Sequence, residues 1–431
     1  MGATYRVIRA WARLLVATWY RTSFTGAPLP EDAPCILVVN HSNGLCDGHF
    51  QLAVTPRPVR VLAKFRLFEI PVLGWLVKNT GAIPVYRKKD GVDTTRNALS
   101  FRAIHEALAA GDVIAIFPEG ESRGTPYLRE LKTGAARMAL GAEEAAEWRA
   151  GIRIVPVGIT YEDIDRFRSR AEAWIGESFA VHDSIDAWNH SPILAGRALT
   201  QRIGQEMRAL SLQVPPGDDM GESARALACA VERLMPPSDE PLAKRRQDAW
   251  DRFERLRARD PEGHARRVEA ALQLDQNLRT HRLTTREVFE AHTPSPLSLI
   301  GELTLRGVLG VPALALCAVA WGPPVLIARL VARHGASTPD KFVTVTLLMT
   351  FAGMLLWLPL LAWLLIAQVG GTLALVLFSA VTLGAATLTR AFDNLAAMRR
   401  LFGRTRLAGD KGAKARLAET LTKFGALLEK A

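Results

Sequence analysis

The segment Asn40-His41-Ser42-Asn43-Gly44-Leu45-Cys46-Asp47 follows the apolar run CILVV and sets an imidazole close before a carboxylate. These are the groups that take a proton from a hydroxyl. The imidazole acts as base, and the carboxylate fixes its tautomer and steadies the imidazolium. Read alone, the segment is equally a turn in which Asp47 N-caps a helix through Phe50 and Val54. A second segment, Phe117-Pro118-Glu119-Gly120-Glu121-Ser122-Arg123, follows DVIAIF and precedes Leu131-Lys132-Thr133-Gly134. A third runs from Gly81 to Tyr86 and ends in the cations Arg87, Lys88 and Lys89; a fourth is Val155-Pro156-Val157-Gly158-Ile159-Thr160-Tyr161. Guanidinium forks match phosphate geometry, so Arg87, Arg123 and Lys132 suit one dianion, although each cation singly reads as a solvated surface charge. No GxSxG elbow is present, so a serine acyl-enzyme is not indicated. Cys35, Cys46, Cys229 and Cys317 form no CxxC and lie far apart, which supports neither zinc nor a disulfide framework.

The elements that must position these groups are legible as apolar runs. CILVVN, PVRVLAK, GAIPVY, DVIAIF and RIVPVGITY alternate with helical stretches at Thr94 to Ala110 and Arg129 to Ala150, which predicts an α/β domain around a buried sheet. The apolar stretch Leu67 to Val77 reads as core in preference to an acyl-chain path. Residues 1–30 are expected to hold an amphipathic helix, with Arg6, Arg9 and Arg13 on one side and Val7, Trp11, Leu14 and Leu15 on the other. That pattern fits a helix in the headgroup region or one packed on the protein's own core. Beyond about Pro192 the chain becomes charged and helical, and Ala243 to His292 reads as a solvated helical face.

Of 431 residues, 54 are Lys or Arg and 43 are Asp or Glu, a formal charge of +11. With no zinc finger, RNP-like aromatic motif or basic repeat, this charge points to phosphate or anionic lipid and not to nucleic acid. Every residue from Phe342 to Thr389 and from Gly307 to Ala328 is uncharged. Spanning a bilayer takes about 20 apolar residues, so an integral membrane protein is expected. Pro323 and Pro324 interrupt the first run. A re-entrant or kinked first segment followed by a two-span hairpin keeps Arg329, Arg333, Lys341 and the tail from Arg390 to Lys411 on the cytoplasmic side, together with the catalytic domain. The uncharged spans read as anchor, not as an ion path.

In order and spacing the four segments resemble the conserved blocks of the glycerolphosphate acyltransferase family, the PlsC-like enzymes, over roughly Pro34 to Val181. The resemblance implies a central mixed sheet flanked by helices, with His41 as general base and Asp47 orienting it. It also implies that Arg87, in the block opened by Gly81, binds the acceptor phosphate, that Glu119 and Gly120 shape the acceptor site, and that Pro156 shapes the acyl-donor side. Here five residues separate His41 from Asp47 where the family commonly has four, and Glu121 and Ser122 stand where Thr and Arg are usual. Both departures resemble a subgroup that includes fungal-type glycerol 3-phosphate and dihydroxyacetone phosphate acyltransferases, as does the segment DKFVTVTLL. Arg123 is the candidate to supply the guanidinium missing from the usual position, with Ser122 and Lys132 beside it.

The expected organisation is an interfacial helix over 1–30, the acyltransferase domain over 31–210, a charged helical region over 211–303, membrane segments over 304–390 and a basic tail over 391–431. The resemblance implies acyl transfer from acyl-CoA or acyl carrier protein, with no bound cofactor. The acceptor is the sn-1 hydroxyl of glycerol 3-phosphate or dihydroxyacetone phosphate, or alternatively the sn-2 hydroxyl of lysophosphatidate. A reading of another class is a non-catalytic lipid-binding scaffold, in which the longer His41–Asp47 spacing has disabled the pair.

Overall fold

The computed structural model describes residues 2–71, 73–122, 127–164, 167–213, 239–281, 296–336 and 339–373, with isolated positions at 232, 375, 412, 415, 419 and 422. It divides into two compact units. One groups Met1–Gln213 with Pro241–Lys244 and Thr338–Thr344, and the other holds Val214–Glu240, Arg245–Ser337 and Val345–Ala431.

The first unit opens with α1 (Ala3–Trp19), β1 (Arg21–Gly26), β2 (Cys35–Val39), α2 (Gly44–Ala53) and β3 (Val59–Lys64). Then come the short helices α3 (Phe65–Glu69) and α4 (Leu73–Asn79), β4 (Ile83–Val85), α5 (Asn97–Ala109), β5 (Val113–Ile116), α6 (Gly134–Ala145) and β6 (Arg153–Tyr161). It closes with β7 (Arg170–Ile175), β8 (Phe179–Ala180), α7 (Ile185–His190) and α8 (Pro192–Ala209). The strands make one mixed sheet in the order β1-β7-β6-β2-β5-β3-β4, with β8 also on β6. β2 runs parallel to both β5 and β6, and β3 runs parallel to β5 and β4, whereas β7 and β8 are antiparallel to β6. All five residues of β2 are buried, as expected of a central strand covered on both faces. Ile36, Val38, Ile114 and Ile116 pack with Ile104, Leu140 and Ile203 from α5, α6 and α8. α8 begins at a conventional cap: the Ser191 hydroxyl accepts the Leu194 amide and Pro192 stands in the first turn.

Several expectations change at the edges of this unit. The N-terminal helix ends at Trp19, and Arg21–Gly26 is the edge strand paired with β7. Arg9, assigned to the polar side of α1, donates instead to the carbonyls of Leu52, Thr55 and Pro56 where α2 ends. A guanidinium at a helix C-terminus satisfies orphan carbonyls and suits the dipole. Tyr5, Ala12, Val16 and Trp19 are buried, while Val7, Trp11 and Leu14 remain exposed, so one face of α1 packs on the protein. The stretch from Leu67 to Val77 is not core. Ile70 and Trp75 are exposed, and Gly74 is the buried residue of α4 because the Phe68 carbonyl leaves no room for a Cβ.

Among the described residues four helices follow: α9 (Leu242–Arg259), α10 (Pro261–His281), α11 (Pro296–Gly335) and α12 (Pro339–Val369). The region expected to be a solvated face buries Trp250, Phe253, Leu256, Ala271 and Leu274, so α9 and α10 carry an apolar stripe of their own beneath the charges. α11 runs through Pro323 and Pro324 without a break in helical structure, contrary to the expected interruption. Pro323 has no N–H for the carbonyl of Val319, four residues back, and that carbonyl instead accepts the indole N–H of Trp357 on α12 at 3.1 Å. Pro324 packs against Gly353, and Ala320 against Leu361, along the same seam. Among the described residues one helix, Lys341–Val369, is long and apolar enough to cross a membrane; 11% of its most apolar stretch is buried. The expected third span, Thr372 to Thr389, and the basic tail lie essentially outside the described residues.

Candidate active site

Because β2, β4, β5 and β6 are parallel, the residues that follow them gather along one edge of the sheet, where open α/β sheets place ligands. His41 follows β2, Arg87 follows β4, Phe117 to Gly120 follow β5, and Tyr161 ends β6.

His41 and Asp47 meet. Nδ1 of His41 lies 3.0 Å from Oδ2 of Asp47, and the carboxylate is completely buried while His41 is 9% exposed. The five intervening residues are accommodated because Asn43 ends the turn and α2 starts at Gly44, which returns Asp47 beneath the imidazole. Asp47 is not the N-cap. It sits one turn inside α2, and its Oδ2 accepts the Asn43 amide at 2.6 Å, in the manner of a capping box. Its Oδ1 accepts the hydroxyl of Tyr161 at 2.6 Å. Asn43 in turn donates its side-chain amide to the Tyr20 hydroxyl at 2.8 Å, and Tyr20 donates to the Ile164 carbonyl. Burial, with Asp47 beside it, pushes the Tyr161 hydroxyl well above its ordinary pKa, so it stays a donor. With Nδ1–H given to the carboxylate, the His41 lone pair is on Nε2, so that nitrogen can accept a proton.

The imidazole is held on its face as well. The Phe117 ring stacks on it with centroids 3.8 Å apart and planes 5° from parallel. Glu119, 5% exposed, accepts the His41 backbone N–H at 2.8 Å through Oε1 and the Nε–H of Arg129 at 3.0 Å through Oε2. Arg129 also reaches Glu121, both through its carbonyl and across 3.5 Å to its carboxylate. Glu119 thus ties the His41 backbone to the loop after β5. Asn40 plugs into β6 by donating to the Ile159 carbonyl at 2.9 Å and accepting its amide at 2.6 Å.

Two predicted cations converge on Gly120. Arg87 donates to the Gly120 carbonyl at 3.0 Å and grips Asp90 through Nε and a terminal nitrogen at 2.8 and 2.7 Å. The Lys132 ammonium lies 2.7 Å from where a Cβ on Gly120 would be, and Gly120 has φ of +77°. Only glycine combines that backbone with so close a neighbour at little strain. Arg123 falls outside the described residues, and Ser122 is the last described residue before it.

Pro156 and Gly81 are not brought to His41. Pro156 is buried inside β6 opposite Val38, where the partner of β6 changes from β8 to β7. Its carbonyl accepts the Gly176 amide from that junction, the side on which a missing N–H breaks no ladder bond. Gly81, with φ of +69°, closes α4 ahead of β4, at the strand end opposite Arg87. Sequence reasoning passed over Tyr161, Tyr20, Phe117 and Arg129 as site residues. Tyr161 and Phe117 stood inside the motifs themselves, and Arg129 was read as helical although α6 begins at Gly134.

Residues 21–160 match the family model described as Acyltransferase. Over those residues the chain is therefore similar to acyltransferases, as its motifs are. Over 175 residues it is 29% identical to glycerol-3-phosphate O-acyltransferase 2 of Saccharomyces cerevisiae, covering 40% of this chain and 22% of that one. Over 153 residues it is 26% identical to the chloroplastic 1-acyl-sn-glycerol-3-phosphate acyltransferase BAT2 of Brassica napus, covering 35% and 40%. The chain thus spans well under half the length of these curated relatives. Among solved structures it is similar to the 1-acyl-sn-glycerophosphate acyltransferase PlsC of Thermotoga maritima, with a TM-score of 0.36, 17% identity, and coverage of 48% of this chain and 78% of that one.

Proposed function

We propose that this protein transfers a fatty acyl group from acyl-CoA or acyl carrier protein to the sn-1 hydroxyl of glycerol 3-phosphate or dihydroxyacetone phosphate, at the cytoplasmic face of a membrane that α12 spans. The observation that carries this reading is the His41–Asp47 pair at 3.0 Å, on the sheet edge it shares with Arg87 and Lys132 around Gly120. The cations hold the acceptor phosphate and place its hydroxyl at Nε2 of His41. Nε2 takes the hydroxyl proton as the oxygen attacks the thioester carbonyl, and Asp47 steadies the imidazolium. The tetrahedral intermediate collapses by breaking the C–S bond, and the imidazolium returns its proton to the departing thiolate. A thioester already has a good leaving group, so a positioned base supplies what the alcohol lacks.

The sn-1 acceptor is supported by the motif resemblance and by the similarity to the yeast glycerol-3-phosphate O-acyltransferase. A second reading, acylation of the sn-2 hydroxyl of lysophosphatidate, is supported by the relatives named as 1-acyl-sn-glycerol-3-phosphate acyltransferases. The test is transfer from labelled palmitoyl-CoA or palmitoyl carrier protein by the purified full chain in detergent, with the three acceptors in parallel. Product from either small phosphate is expected. Asp47→Asn should lower kcat by about 10²–10⁴-fold, as a mis-set tautomer does in other His–Asp pairs, and His41→Ala should lower it at least as far. Product from lysophosphatidate alone would move the assignment to sn-2, and no product with either donor would favour the non-catalytic scaffold.

A further inference from the structure

We infer that the second turn of α12 belongs to the active-site scaffold, with Thr344 as a positioning residue that caps the helix carrying Asp47. The start of a helix leaves four amides without intrahelical partners, and an Asn at the N-cap ordinarily satisfies one of them through its side chain. Asn43 holds that place on α2 but makes no such bond. Its side-chain NH2 donates to Tyr20 and its own N–H to Asp47, while its Oδ1, the atom that would cap, accepts no hydrogen bond from the described residues. The bond that Asn43 forgoes comes from far away in sequence: the Leu45 amide donates to Oγ1 of Thr344 at 3.2 Å, across 299 residues. Thr344 lies in the same compact unit as α2, and its neighbour Val343 is completely buried.

Leu45 precedes Asp47 by two residues, so the amide that Thr344 holds is in the turn that sets the carboxylate against His41. Without the hydroxyl that turn loses its external cap, and the 3.0 Å contact between Asp47 and His41 is no longer held from that end. The long apolar helix thus completes the catalytic pair in addition to anchoring the chain. The kinetic part of this inference rests on the acyltransferase reading; the capping part does not.

The test compares Thr344→Val and Thr344→Ser in the full chain, in detergent, by steady-state acyl transfer and by amide hydrogen exchange of peptides covering 42–50. Thr344→Val keeps the shape and removes the acceptor. It should raise exchange across 42–50 about fivefold, the scale of a lost cap. It should also lower kcat by about tenfold or more, as displacement of a reacting group does, with KM within twofold. Thr344→Ser should restore both. Unchanged exchange and kcat in Thr344→Val, a Ser variant as impaired as the Val variant, or faster exchange spread evenly over α8 and the sheet would each overturn the inference. If the parent protein transfers no acyl group, the proposed function fails, and the exchange comparison still decides the role of Thr344.

Discussion

Tyr161 donates its hydroxyl to Oδ1 of Asp47 at 2.6 Å, while the other carboxylate oxygen faces Nδ1 of His41 at 3.0 Å. The carboxylate is therefore held at both oxygens, in a place with no solvent exposure. Removing one donor from a buried carboxylate costs about 1–3 kcal/mol. Tyr161→Phe keeps the ring packed against Tyr20 and Phe50 and deletes the hydroxyl alone. We expect kcat to fall about tenfold to a hundredfold with KM little changed, because Arg87 and Lys132, proposed to hold the phosphate, are untouched. Steady-state kinetics of the variant would show an unchanged kcat if the hydroxyl does not position Asp47.

Gly120 joins the His41 loop to Arg87 and Lys132. Its carbonyl accepts Arg87, its backbone lies under Lys132, and the preceding residue is Glu119, which accepts the His41 amide. Gly120→Ala places a methyl group 2.7 Å from the Lys132 ammonium and forces a side chain onto φ of +77°. The strain is about 1–2 kcal/mol, and the flexible lysine is the group that yields. The variant should raise KM for the phosphate acceptor several-fold more than it lowers kcat. Equal loss in both would place Gly120 with the base and not with the phosphate.

What the sequence disclosed and what it concealed divide along a physical line. β2, β5 and β6 were legible because buried strands are continuous apolar runs, and residues of the candidate site lie just past their ends. β1 and β7 were not. RTSFTG and RAEAWI mix polar and apolar residues, the first as an edge strand and the second as a strand with one face buried and one partly exposed. The pairing of His41 with Asp47 followed from local spacing, but the hydroxyl that holds Asp47 comes from 114 residues away. Arg9 shows the same limit in another form. A helical plot sorts it by polarity, whereas its position is set by three carbonyls at the end of α2 that no periodicity reveals.

His49 lies half a turn beyond Asp47 on α2, and its Nδ1–H donates to the Leu45 carbonyl at 2.6 Å. Burial lowers its pKa below the ordinary histidine value. A histidine that the fold keeps neutral contributes stability above the unfolded pKa, near 6.5, and loses it as pH falls through the lowered folded value. His105 on α5 is shifted the same way, also by burial. The thermal midpoint of the parent protein should therefore drop between pH 7 and pH 5, and His49→Gln should drop less over the same range. Parallel curves for the two proteins would remove His49 from the account.

The bond from Trp357 to the carbonyl of Val319 predicts a coupling that ordinary hydrophobic packing does not. Pro323 leaves that carbonyl without its helical partner, and the indole N–H takes the place. Trp357→Phe alone should then destabilise the α11–α12 pair by about 1 kcal/mol, the net worth of a typical hydrogen bond. Pro323→Ala restores an N–H at the position from which the carbonyl is ordinarily satisfied. In that background Trp357→Phe should cost markedly less, since the indole bond has become redundant. Thermal unfolding in one detergent of the parent, the two single variants and the double variant gives the interaction energy directly. A coupling near zero would mean that Trp357 stabilises the seam through its packing on Ala320 and Leu361 and not through the carbonyl.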